Sequence, residues 1–124
     1  MTLQRRILLL GGVFGGLAVA IGAFGAHALK EVLTANDRVD TFELATRYQF
    51  YHSLALLVIG TLTDRLDQSK LNWSSRFFTG GILVFSGSLY ILSLSGNTLW
   101  GAITPIGGIF LLIGWLLFIL ASRK

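Results

Sequence analysis

Apolar residues in this chain run in long stretches broken by polar interruptions, with no strand-like alternation. A helix that crosses about 30 Å of hydrocarbon needs roughly 20 mostly apolar residues, and four stretches meet or approach that length. The first, residues 7–29, carries no formal charge and lies between Arg5 and Arg6 on one side and Lys30 and Glu31 on the other. The second, residues 46–63, is short for a crossing. Asp40 followed three residues later by Glu43 has capping-box spacing, which predicts that this helix starts upstream and outside the membrane. Glu43 and Arg47 then stand at i,i+4 in the orientation that favours an ion pair. The third stretch, residues 77–95, follows Ser74, Ser75 and Arg76 and stops at Ser95-Gly96-Asn97. The fourth, residues 101–121, holds the only proline, Pro105, in what should be its first helical turn, and Arg123 and Lys124 close it.

Composition agrees with burial in lipid. Charged residues make up 13% of the chain, against about 25% in a typical soluble domain, and 53% of residues are hydrophobic. Too little polar side chain exists to clothe a water-soluble surface. The chain has no cysteine, which excludes disulfides, thiolate metal sites and cysteine nucleophiles. Its net charge of +4 is not gathered into a basic patch with interleaved aromatics, so nucleic acid is not an expected partner. The basic residues sit at helix ends, where they act as an orientation signal.

Seven of the ten lysines and arginines fall on one side of a four-span map: Arg5, Arg6, Arg65, Lys70, Arg76, Arg123 and Lys124. The first loop mixes Lys30, Arg38 and Arg47 with four acidic residues, and the third loop has no charge. The pattern predicts an all-α integral membrane four-helix bundle, N-in and C-in, forming one domain over residues 1–124. Ala26-His27-Ala28 after an apolar stretch also has the form of a signal-peptide cleavage site, but the stretch exceeds the usual 7–15 residue core. An uncleaved first helix is expected.

Gly11, Gly15, Ala18, Gly22 and Ala26 recur every three or four residues and form a small-residue stripe on the first helix. Such a stripe lets another backbone approach closely, within the bundle first of all and between copies of the chain as the alternative. Gly107 with Gly114, and Gly80 with Gly87 and Ser88, suggest shorter stripes later on. His27 and His52 are the only histidines. Each is expected near the outer end of its helix, so that His27, Lys30, Tyr48, Gln49 and His52 would gather at one membrane face. There they would act as an interfacial anchor or as a pocket for a lipid headgroup or small anion. Without a C-x-x-C-H or H-E-x-x-H context, neither haem nor another metal is expected, and no cofactor is assigned.

No Asp, Glu, Lys or Arg lies in the middle of a span, which argues against a coupled ion pathway. No nucleophilic triad, phosphate loop or dinucleotide fingerprint can be assembled. Trp73 and Trp100 fit the two aromatic belts, whereas Trp115 falls deeper, without such a role.

The stretch Gly22–Lys30 (GAFGAHALK), with Phe42–Leu57 (FELATRYQFYHSLALL), resembles the small bacterial membrane-protein family of unknown function typified by YgdD and YwdK. The resemblance implies a cytoplasmic (inner) membrane location and four spans, and it implies no activity. A non-enzymatic membrane protein is therefore expected. It would bind lipid, or another membrane protein or a second copy of itself, through the outer polar cluster. A small oligomeric transporter or channel is the alternative.

Overall fold

A computed structural model describes residues 1–123; Lys124, one of the residues used to orient the chain, lies outside them. Leu3–Ala26 form α1, Lys30–Ala35 the short α2, and Val39–Thr61 α3. Gln68–Gly81 form α4, which passes through a π-helical turn, Ile82–Ser86, into α5, Gly87–Ser95. A 3-10 turn, Thr98–Ala102, leads into α6, Thr104–Ser122. The described residues contain no strand. Three helical stretches are long and apolar enough to cross a membrane: Leu3–Ala26, Gln68–Ser95 and Thr98–Ser122. α3 has the length, but Arg47, Gln49, His52 and Ser53 lower its hydropathy.

Helix ends depart from the hydropathy boundaries because local caps set them. The Thr2 side chain accepts from the Arg5 N–H at 3.1 Å and starts α1 a turn before residue 7. Lys30–Ala35, left as loop by the hydropathy pattern, is helical. It ends at Asp37, whose φ of 54° is left-handed, with Arg38 N–H donating to the Leu33 carbonyl at 2.9 Å. α3 does begin upstream of its apolar part, but not by the capping box: Arg38 is the N-cap and no side chain caps the helix. Asp37 has already turned the chain, which leaves Asp40 inside the first turn, where its carboxylate still meets the positive helix end. The expected Glu43–Arg47 ion pair is absent; among the described residues the one ion pair is Lys70–Asp67 at 2.9 Å. Both side chains of the missing pair are exposed, and an exposed pair gains too little to hold two long side chains in one geometry. α4 begins well before residue 77, capped by Asp67, which accepts from Lys70 N–H at 3.1 Å. Ser74 and Ser75, expected before the third span, are therefore buried inside its helix.

α1 packs along α3, α4 along α6, and α5 against α3. In the α1–α3 contact the small-residue stripe meets α3 directly. A Cβ on Gly11 would lie 2.8 Å from Leu57 Cδ2, and Gly15 and Gly22 face Ser53 and Thr46 at 3.3 Å. Ala18 is buried. Ala26 is exposed, and Gly25 takes its place, with Phe42 only 2.3 Å from where its Cβ would be. On α6, Gly107 and Gly114 abut the Phe85 backbone and the Phe78 ring.

The fold encloses polar side chains beside its apolar core and exposes large apolar ones. Buried positions include Gln49, His52, Ser53, Ser74, Ser86 and Ser93, while Leu9, Val13, Leu17, Ile109, Leu112 and Leu116 are exposed. α3 shows both sides of this pattern in one helix, burying Gln49, His52 and Ser53 and exposing Phe50, Leu54 and Val58. Hydrocarbon outside and hydrogen-bonded polar groups inside is the stable arrangement in a bilayer.

Candidate functional site

His52 projects from α3 toward α6 and is buried. The Trp115 indole N–H donates to His52 Nε2 at 3.0 Å, and His52 Nδ1 lies 2.7 Å from the Tyr48 carbonyl oxygen. An indole N–H can only donate and a carbonyl can only accept. Nε2 is therefore unprotonated, Nδ1 carries the hydrogen, and the imidazole is neutral. Phe78 packs on both rings, 5.3 Å from His52 and 5.0 Å from Trp115 between centroids. With both nitrogens engaged, His52 has no lone pair free for a metal, and among the described residues no three His, Asp or Glu side chains gather.

Gln49, one turn before Ser53, performs a different task. Its Nε2 donates to the Phe14 carbonyl on α1 at 2.8 Å, and its Oε1 accepts from the Tyr90 hydroxyl on α5 at 2.7 Å. One buried amide thus ties three helices. Similar ties are Ser74 Oγ to the Gly114 carbonyl and Ser86 Oγ to the Ala45 carbonyl, both at 2.7 Å.

Between α3 and α6 lies an open cavity of about 630 Å³. Tyr48, Tyr51 and His52 form one wall, Pro105, Gly108, Leu112 and Trp115 the other, and Phe85 lies between them. The Tyr48 ring stacks on Phe85 with centroids 4.8 Å apart. Phe85 belongs to the π-helical turn, so the extra residue in that turn carries this ring into the groove. Gly108 stands on the groove side of α6: a Cβ there would meet only Phe85, at 3.8 Å. Among the described residues neither the Tyr48 nor the Tyr51 hydroxyl has a hydrogen-bond partner.

The five residues expected at one membrane face are divided among three places. Tyr48 and His52 line the groove, Gln49 faces the α1–α3–α5 junction, and His27 and Lys30 line a separate cavity of about 590 Å³ with Glu31 and Thr34. Register explains the separation. Gly15 faces Ser53, so His27 stands about 16 Å of helical rise beyond the level of His52. Trp115 is the site residue that sequence reasoning missed. A tryptophan deep in a span needs an acceptor for its N–H, and His52 was one of two imidazoles in the other apolar stretches.

Comparison with known proteins places the chain. A family model described as "Protein of unknown function (DUF423)" matches residues 21–108. The chain belongs to this family. It is 44% identical to a UPF0382 membrane protein of Staphylococcus epidermidis over 98% of both chains. It is 37% identical to the UPF0382 inner membrane protein YgdD of Escherichia coli, over 98% of this chain and 92% of that one. No solved structure matches it. Members of the family, this chain included, are membrane proteins of unknown function, and the site carries no chemistry inherited from a named activity.

Proposed function

We propose that the protein is a four-span helical bundle of the bacterial cytoplasmic membrane, with both termini in the cytoplasm. We assign it the binding of a lipid acyl chain in the α3–α6 groove, without catalysis. Three helical stretches have the length and hydropathy of spans, and the exposed Phe50, Leu54 and Val58 of α3 support a fourth. Arg5, Arg6, Arg65, Lys70, Arg76 and Arg123 then share the cytoplasmic side.

The groove is the observation that carries the binding assignment. From Pro105 to Trp115 it extends about 15 Å along α6, the depth of one leaflet of a roughly 30 Å core. Its walls are chiefly apolar and aromatic, and in a four-span bundle its mouth would face the lipid. Tyr48 and Tyr51 offer two free phenol donors to an ester carbonyl of the same lipid, while the neutral, doubly bonded His52 serves as wall. His27 and Lys30 lie elsewhere and take no part in this binding. The buried Gln49, Ser53, Ser74, Ser86 and Ser93 all spend their polar atoms on partners within the chain, which supports binding over a polar conduction path.

Gly108→Leu tests the assignment, because the added side chain enters the groove with room at its Cβ. Native mass spectrometry from mild detergent should show lipid retained by the wild type and lost from a folded Gly108→Leu protein. Equal lipid retention by both proteins would overturn the groove as the binding site.

A further inference from the structure

A third cavity, of about 320 Å³, lies at the end of the molecule where α1 begins, between α1 and α4. Arg6 and Arg76 line it at one level, and Leu10 and Thr79 lie one turn deeper on the same helices. Both guanidinium groups are turned onto one neutral oxygen. Arg6 Nη2 donates to Asn72 Oδ1, and Arg76 Nε donates to the same atom at 3.3 Å. The Arg6 Nε–H is buried with no partner. Among the described residues no carboxylate lines the cavity, and the one ion pair, Lys70–Asp67, belongs to other side chains. The hydroxyls of Ser75 and Thr79 donate to carbonyls of their own helix, at 2.7 and 2.8 Å, so the guanidiniums are the cavity's unspent donors. Trp73 steadies Arg76, whose guanidinium carbon lies 5.3 Å from the ring centroid.

We infer that this cavity is an anion site that takes a phosphate group. Among the described residues, the two like charges converging on one uncharged amide oxygen have no counter-ion. Each guanidinium has five N–H donors in a planar fork that suits phosphate oxygens, and each spends one on Asn72. An amide at position 72 supplies an acceptor without supplying a negative charge. The apolar Leu10 sits below the cations, as it would beside the glycerol and first methylenes of an anionic phospholipid. The same donors would hold inorganic phosphate if the source were soluble.

Full-length protein in an uncharged detergent separates the sources. Phosphatidylglycerol and phosphatidylcholine are titrated by native mass spectrometry, and inorganic phosphate is titrated alone with thermal unfolding as readout. Wild type should prefer phosphatidylglycerol. Arg76→Gln should weaken that binding about tenfold, the weight of a charge-assisted contact. Asn72→Asp should do the same while keeping the fold, since a carboxylate there neutralises the two cations from within. Gly108→Leu should leave it unchanged, so this site and the α3–α6 groove stand or fall separately. Stabilisation by inorganic phosphate that both variants abolish, with no preference between the two lipids, would identify a soluble anion as the ligand of the same site. Equal responses of wild type, Arg76→Gln and Asn72→Asp to every probe would overturn the site.

Discussion

α3 meets α1 and α6 by opposite means. Toward α1, glycines remove the side chains that would keep the backbones apart, and a Cβ at Gly25 or Gly11 would strike Phe42 or Leu57. Toward α6, the rings of Tyr48, Phe85 and Trp115 and one indole–imidazole hydrogen bond occupy part of the interface and leave a cavity. In lipid no hydrophobic force presses helices together, so contact area and hydrogen bonds decide how tightly they sit. Small residues maximise contact and make a closed seam; rings bridged at one point leave room for a guest. α6 repeats the lesson within two residues. A Cβ on Gly107 would strike the Phe85 backbone, whereas one on Gly108 would make only ordinary contact with the Phe85 ring, at 3.8 Å.

The contrast can be broken first at the closed contacts. Gly107→Leu forces backbone against backbone and should destabilise the protein by about 3 kcal/mol or prevent folding, as read by unfolding in mixed detergent. Gln49→Leu removes the bonds to the Phe14 carbonyl and the Tyr90 hydroxyl and should cost about 1–2 kcal/mol in the same assay. Trp115→Phe keeps the ring and removes the donor to His52, for a loss of about 1 kcal/mol. Combining it with His52→Leu should cost less than the sum of the single changes, because the two share one bond. Gly108→Leu should change stability by less than about 0.5 kcal/mol, which separates the open side from the closed one.

The smallest effect concerns a group outside both interfaces. Lys70 hydrogen-bonds the Asp67 carboxylate through its side chain and its backbone N–H, and holds it below the usual carboxylate range. A depressed folded-state value means that the stabilisation is complete above the unfolded value of about 3.9 and fades as pH falls through the lower folded one. Asp67→Asn should be slightly less stable than wild type near neutrality and equal to it in acid.

Much of this architecture is written in residue pattern. The apolar stretches of α1, α5 and α6 announce themselves, and so does Pro105 in the first turn of α6. The stripe at Gly11, Gly15 and Gly22 named a contact surface, though not the helix it would meet. The site was only partly legible, because it depends on register between helices. His52 is expected beside His27 at the outer end of its helix, but the Gly15–Ser53 and Gly25–Phe42 contacts fix a register of α3 against α1 that separates the two. The groove was invisible for a similar reason: the π-helical turn that presents Phe85 has no hydropathy signal. Arg6 and Arg76 read as orientation signals, and their convergence on Asn72 required the fold.

Everything proposed for the groove requires α3 to lie within the bilayer despite its polar residues, which makes an even number of crossings the decisive property. The chain has no cysteine, so single-cysteine variants report one position each to a membrane-impermeant maleimide. In intact cells Thr2→Cys and Ser122→Cys should both be protected and Thr34→Cys labelled, with all three labelled after disruption. Thr2→Cys and Ser122→Cys reacting from opposite sides would contradict the four-span bundle and remove α3, with its groove, from the hydrocarbon.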